Sequence, residues 1–173
     1  METLTAREWI DLIRNVFSPD PQTDRGVLFM VDVPDDAAGD NPDWRLRREM
    51  AVQWVRDLQA ARELHGWDVA LMAYPNVHRN NADLPAQGCL WEGSSAPAHV
   101  RDLQDRPPLA FSQAYGQFSM WLAPTEFSAT APLKLAARTH GGFRAATMPG
   151  FCTAMIPALR LPWADIQRRV DKL

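Results

Sequence analysis

Gly26-Val-Leu-Phe-Met-Val-Asp-Val33 decides the fold. Its apolar residues run almost unbroken for the length of a strand, whereas a strand with one face in water would alternate apolar and polar residues. The run therefore predicts a strand covered on both faces, as in a parallel sheet with helices on either side. Asp68-Val-Ala-Leu-Met-Ala-Tyr74 repeats the pattern. Between them lies a long helical stretch, about residues 43–65, with an apolar stripe of Met50, Ala51, Trp54, Leu58, Ala61 and Leu64 and a closing glycine, Gly66. Strand, helix, strand in this order predicts a right-handed βαβ crossover.

Working outward, Thr5-Ala-Arg-Glu8 has the form of a capping box and opens a first helix over residues 6–17. Residues 74–108 show little periodicity and read as a long excursion with at most one short helix, and loops of that length tend to be functional or mobile. Beyond it the pattern predicts a short helix over 109–115, a strand over 118–123, a helix over 131–139 with Thr130 as its N-cap, and a strand over 143–147. Helical signals resume at Thr153 and again over 163–173, interrupted by Pro157 and Pro162. Each expected strand runs into a proline, namely Pro34, Pro75, Pro124 and Pro149, so the strands should end along one edge. The expectation is a single Rossmann-like, three-layer α/β domain over residues 1–173, with a mainly parallel sheet of about four or five strands.

The chain has 173 residues, a size that suits one domain, and a formal net charge of -3, which argues against a nucleic-acid partner. No apolar run approaches the roughly 20 residues of a membrane helix, and the first residues lack the positive charge of a secretory signal, so a cytoplasmic location is expected. Cys89 and Cys152 have no partner at metal or redox spacing and read as two reduced thiols. The seven Trp residues are many for this length and leave open an apolar surface for a homodimer.

In an open parallel sheet ligands bind beyond the carboxyl ends of the strands. The residues delivered there are Asp35 and Asp36, then Asn76 and His78, then Thr125, Glu126, Ser128 and Thr130, and last Met148 and Gly150. No dinucleotide or P-loop glycine pattern follows the first strand, the nucleophile-elbow pattern is missing, and no two histidines sit at metal-ligand spacing, so no catalytic residue, metal ligand or cofactor is expected. A dispersed site made from His78, Asp83 and Glu126 is the open exception. Arg47 falls in the apolar stripe one turn from the start of the long helix, where its side chain leans toward the strand ends. It is expected to pair internally with Asp32 or Asp35, or else to hold an anionic ligand together with the helix start at Thr130, under the cover of the excursion.

Three stretches, Asn80-Asn-Ala-Asp-Leu-Pro85, Pro124-Thr-Glu-Phe-Ser-Ala-Thr-Ala-Pro-Leu133 and Arg144-Ala-Ala-Thr-Met-Pro-Gly150, together resemble the N-terminal domain of a metalloenzyme family. That family includes the thermophilic-type metallo-aminopeptidases (leucyl aminopeptidase, aminopeptidase T) and a ring-cleaving dihydroxypyridine dioxygenase. The resemblance implies a Rossmann-like domain that, in longer relatives, precedes a second domain carrying the metal ligands. None of those ligands can be carried over to a position in this sequence, which ends at Leu173, about where the second domain is expected to begin. Pro157 interrupts the helix that the resemblance places after Met148-Pro149-Gly150.

The sequence thus leads to the expectation of a non-catalytic binding or accessory module. It would take a peptide or small molecule at Arg47, Asp35, Asn76, His78, Thr125, Glu126, Ser128 and Thr130, or assist an enzyme partner in a biosynthetic pathway. The alternative is an enzyme of the aminopeptidase or dioxygenase class whose metal site is completed by another chain.

Overall fold

The computed structural model describes residues 2–172. Its first helix, α1 (Ala6–Phe17), starts where the capping box places it: Thr5 Oγ1 accepts from Glu8 N, and the Glu8 carboxylate accepts from Thr5 N at 2.8 Å. The decisive run forms β1 (Gly26–Val33), buried at every position. The long helix is α2 (Pro42–Ala60), a little shorter than the expected 43–65 because a 3-10 turn, Arg62–Leu64, follows it. Asn41 caps its start by accepting from Trp44 N at 2.8 Å, with Pro42 in the first turn, where a missing N–H is harmless. Gly66 then turns the chain at φ +77, a left-handed conformation that glycine adopts without strain, into β2 (Asp68–Pro75).

The excursion is more ordered than its sequence suggests. It supplies β3 (Gln87–Leu90), antiparallel to β2, and leads into β4 (Pro108–Ala110), antiparallel to β3. After α3 (Phe111–Gln117) come β5 (Met120–Ala123), α4 (Thr130–His140) and β6 (Arg144–Thr147). A short α5 (Ile156–Leu159), with Pro157 in its first turn, and α6 (Trp163–Val170) after Pro162 complete the chain, while the expected helix end at Leu173 lies outside the described residues. The sheet has six strands in the order β4-β3-β2-β1-β5-β6, so the expectation of four or five is corrected to six, with a parallel block of four and an antiparallel pair added at one side.

Helices on both faces explain the unbroken apolar runs. Val27, Phe29, Val31 and Val33 of β1 face one core, with α1 and α2 packed on it, whereas Leu28 and Met30 face a second core shared with α3 and α4. Large rings fill both cores: Trp9 and Trp54 lie 4.8 Å apart in the first, and Trp121 and Phe143 5.3 Å apart in the second. Much of the high tryptophan count is used inside, since Trp9, Trp44, Trp54 and Trp121 are all fully buried. Among the described residues, no helix is long and apolar enough to cross a membrane.

Candidate functional site at the strand carboxyl ends

From β1 the chain crosses through α2 to β2 on one side, and from β5 it crosses through α4 to β6 on the other. The two crossovers leave in opposite directions and use opposite faces of the sheet, because a right-handed connection permits nothing else. In a sheet of this topology the switch point between the carboxyl ends of β1 and β5 is the crevice where ligands bind.

Asp32, the one charged residue of β1, stands at this point and is fully buried. Its carboxylate accepts from Glu126 N at 2.8 Å, from Phe127 N at 2.9 Å and from Trp44 Nε1 at 3.0 Å. Burial pushes its pKa above the ordinary carboxyl value, against the pull of those three donors. Asp32 thus ties the loop after β5 and the first turn of α2 to the end of β1. The loop is held again from below, where buried Thr125 donates Oγ1 to Phe127 O at 2.7 Å and its carbonyl accepts from Gly150 N at 2.9 Å.

Arg47 does make an internal pair, but its partner is neither Asp32 nor Asp35. Nη2 donates to Glu126 Oε2 at 2.6 Å and Nη1 to Phe151 O at 3.3 Å, with the arginine 2% exposed. Asn41 Nδ2 donates to the other oxygen of Glu126 at 3.2 Å. The partner differs from the expected ones because Asp32 is already saturated by main-chain donors and Asp35 lies in its own turn, accepting from Ala37 N and Ala38 N.

Asp35 also meets His78, whose Nε2 is 2.8 Å from Asp35 Oδ2. His78 sits at φ 59 and is exposed, held there by Asn76, which accepts from His78 N at 3.1 Å and donates Nδ2 to Val33 O at 2.9 Å. Hydrogen bonding to His78 and to its own turn, Ala38 N foremost, lowers the pKa of Asp35. The excursion returns to this rim as well: Val100 N donates to Pro34 O at 2.9 Å and Arg101 pairs with Asp36 at 2.7 Å.

A second knot lies beyond β5. Asn80 Oδ1 accepts from Ser128 N at 2.8 Å, Asn81 Oδ1 accepts from Ala131 N at 3.0 Å, and Thr130 Oγ1 lies 3.0 Å from Ser128 Oγ and 2.8 Å from Thr147 Oγ1. Thr130 is the first residue of α4 and not its N-cap, a place that falls to Ala129. Ser128 Oγ takes the N–H of Thr130 at 3.4 Å, Asn81 takes that of Ala131, and Pro132 has none, so the first-turn groups are already occupied. The three stretches that carry the resemblance meet in this knot.

Of the eight expected site residues, Arg47, Asn76 and Thr125 are buried braces, while Asp35, His78, Glu126, Ser128 and Thr130 reach the surface around the crevice. Asp83 does not join His78 and Glu126: among the described residues, no three His, Cys, Asp or Glu side chains gather where they could hold a metal ion. Asp32, Trp44, Asn41, Asn80 and Asn81 were not expected at the site. An acid inside an otherwise apolar strand and the Asn41-Pro42 pair ahead of a helix are the signals that point to the first and third of them. No protein-family model, no curated protein and no solved structure matches this chain.

Proposed function

We propose that the chain is a non-catalytic binding module, equivalent to the N-terminal domain of the metallo-aminopeptidase and dioxygenase family it resembles. It takes a peptide or small molecule over the β1–β5 crevice, or docks there onto an enzyme partner. The observation that carries this reading is the state of the charged groups. Asp32 is saturated by three donors, and Arg47 and Glu126 are spent on each other and on Asn41 and Phe151. A general base or nucleophile must instead be free to reach the reacting atom. What the rim offers a ligand is the side chains of Asp35, His78, Ser128 and Thr130, with Glu126 held in place by Arg47 and Asn41. The meeting of the three resembling stretches at one knot supports the family reading, since residues far apart in sequence would share a motif for a spatial reason.

One observation favours the alternative, an enzyme whose metal site another chain completes. A histidine with one ring nitrogen on a carboxylate is oriented as metal-ligating histidines are, and the pair His78–Asp35 leaves Nδ1 facing away from Asp35. The test is a thermal-shift survey of di- and tripeptides, amino acids and small carboxylates, followed by calorimetry, alongside turnover of aminoacyl anilides with added cobalt or zinc. The binding module predicts saturable binding that is weakened in Ser128→Ala and Asp35→Ala, without turnover. Metal-dependent hydrolysis by the chain alone, lost in His78→Ala, would overturn it.

A further inference from the structure

The outer strands of the sheet are not alike. β4 has three residues and starts with Pro108, which brings no N–H. The stretch of β2 that β3 leaves uncovered has its outward carbonyl, Val69 O, taken by Gln59 Nε2 at 2.8 Å. β6 has no such cover. Arg144 N donates to Ser119 O at 2.8 Å and Met148 N to Ala123 O at 2.9 Å, so residues 144, 146 and 148 turn their main-chain groups toward β5. Alternation then sends the N–H and C=O of Ala145 and Thr147 outward, from two residues that are only partly buried. Among the described residues none of these four groups has a hydrogen-bond partner. Arg144, the one charged side chain of the strand, is tied to Asp24 Oδ2 at 2.7 Å and does not guard them.

One side of α4 runs along this edge and is basic. Thr130 Oγ1 lies 2.8 Å from Thr147 Oγ1, which marks the side of the helix next to β6. Lys134 and Arg138 follow Thr130 at i+4 and i+8 on that side, whereas Pro132, Leu135 and Thr139 face a groove shared with Phe111 and Tyr115 of α3. Both basic side chains are exposed, and neither has a hydrogen-bond or ion-pair partner among the described residues. Neither α4 nor β6 carries a carboxylate. Four residues of helix separate the two cations by about 6 Å. Alternate residues on one face of a strand are about 7 Å apart, so carboxylates at every second position would match them.

We infer that β6 takes an extended acidic segment of a partner protein as an added strand, its main chain bonded to Ala145 and Thr147 and its carboxylates, on alternate residues, paired with Lys134 and Arg138. A second copy of the chain fits less well. Two-fold pairing of β6 with its own copy would set two α4 helices side by side and bring Lys134 and Arg138 of one against those of the other, with no acid on either element to offset them. The edge lies across β5 from β1, and the inference does not rest on the function proposed for the crevice.

The probe is the capped peptide acetyl-Thr-Val-Glu-Val-Glu-Val-Thr-amide, titrated into the full chain at low ionic strength and followed by calorimetry and ¹⁵N NMR. The expected result is saturable binding with shifts centred on the amides of Ala145 and Thr147. The same peptide with Gln at both Glu positions should bind about five-fold more weakly or worse. Lys134→Gln and Arg138→Gln alter exposed side chains and should each weaken the Glu peptide by about two- to five-fold, and in the double variant the Glu and Gln peptides should bind alike. N-methylation of the Glu amides blocks antiparallel pairing and N-methylation of the Val amides blocks parallel pairing, so one of these two peptides should lose about ten-fold or more. Binding that does not saturate, equal affinity of the wild type for the Glu and Gln peptides, or full affinity in both N-methylated forms would each overturn the assignment. So would a dimer in sedimentation with the Ala145 and Thr147 amides already protected from exchange in the free chain, which would give the edge to a second copy.

Discussion

The pairing of a buried Arg47 with a partly exposed Glu126 makes the two ends of one ion pair unequal, and this can be measured. Arg47 is 2% exposed and the Glu126 side chain 27%. Removing the carboxylate in Glu126→Ala strands a guanidinium inside the protein with Phe151 O as its remaining acceptor. Breaking a fully buried pair in this way costs about 3–5 kcal/mol, and the partial exposure of Glu126 reduces the expectation to about 2–3 kcal/mol. Arg47→Met is different. It places an apolar side chain of similar length within the stripe of α2 and leaves Glu126 with Asn41 Nδ2 at 3.2 Å and with water, so its stability should fall within about 1 kcal/mol of wild type. The double variant should resemble Arg47→Met, giving a coupling energy of about 2 kcal/mol. In a chain of this length each kcal/mol moves the melting temperature by about 2–4 °C, so Glu126→Ala should melt about 4–12 °C lower. Urea unfolding followed by tryptophan fluorescence, with circular-dichroism melts of all four proteins, provides the cycle. If Arg47→Met loses as much as Glu126→Ala and the coupling is under about 0.5 kcal/mol, the pair is not a brace and Arg47 stabilises the fold by packing alone.

Two further outcomes follow from the same geometry. Glu8 accepts from Arg160 Nε at 2.6 Å and from Thr5 N, and these bonds, the Arg160 one foremost, hold its pKa at about 2 against an ordinary 4.5. A depressed carboxyl stabilises the fold above 4.5 and loses that contribution as the pH falls toward 2. Glu8→Gln should therefore be less stable than wild type by about 1 kcal/mol at neutral pH, after allowance for solvent screening, and the gap in melting temperature should close between pH 5 and 2; a gap independent of pH would contradict the assignment. At Gly88 a Cβ atom would stand 2.6 Å from Ala73 O, a backbone atom that cannot move aside, so Gly88→Ala should cost about 1–3 kcal/mol and loosen β3 from β2, visible as faster amide exchange at Cys89 and Leu90.

The sequence carries the parallel block of the sheet openly and the antiparallel pair hardly at all, for a physical reason. β1 and β2 are eight residues long and buried on both faces, so their composition is dictated by the two cores. β3 has four residues and β4 three, both lie at the side of the sheet, and β4 begins with a proline that an outer strand tolerates. Runs that short have no period to read. Gly88 marks the close approach of the Ala73 backbone only once the strand around it is known. At the site, position along the strand ends was legible because prolines mark them, and Asp35, His78, Glu126, Ser128 and Thr130 lie in the segments that follow β1, β2 and β5. Which side chains face each other was not. The choice of Glu126 for Arg47 depends on the Asp32 carboxylate being filled by main-chain N–H groups from a loop ninety-odd residues away, as its contacts with Glu126 N and Phe127 N show. Helical angle gives the direction of a side chain but says nothing about competition for its partners.

Adjacent arginines on α2 bring the two halves of the surface onto one element. Successive residues of a helix point about 100° apart, so Arg47 and Arg48 cannot serve the same neighbour. Arg47 reaches the loop after β5 through Glu126, and Arg48 reaches the loop after β3 through Pro97 O. Trp44, one turn earlier, fastens the same helix to the end of β1 by donating to Asp32, and its ring lies 5.4 Å from the Arg48 guanidinium. The opening turns of α2 are thus fixed against two loops and the end of β1 at once by polar contacts, while its later turns are held by the apolar core around Trp54 and Leu58. A buried polar network of this kind gains little net stability, because desolvation offsets most of its electrostatic attraction. What it does provide is a single position for each loop relative to the sheet. A recognition surface of the kind proposed would draw on this, since every rim side chain held in place before binding is one whose ordering does not weaken a complex.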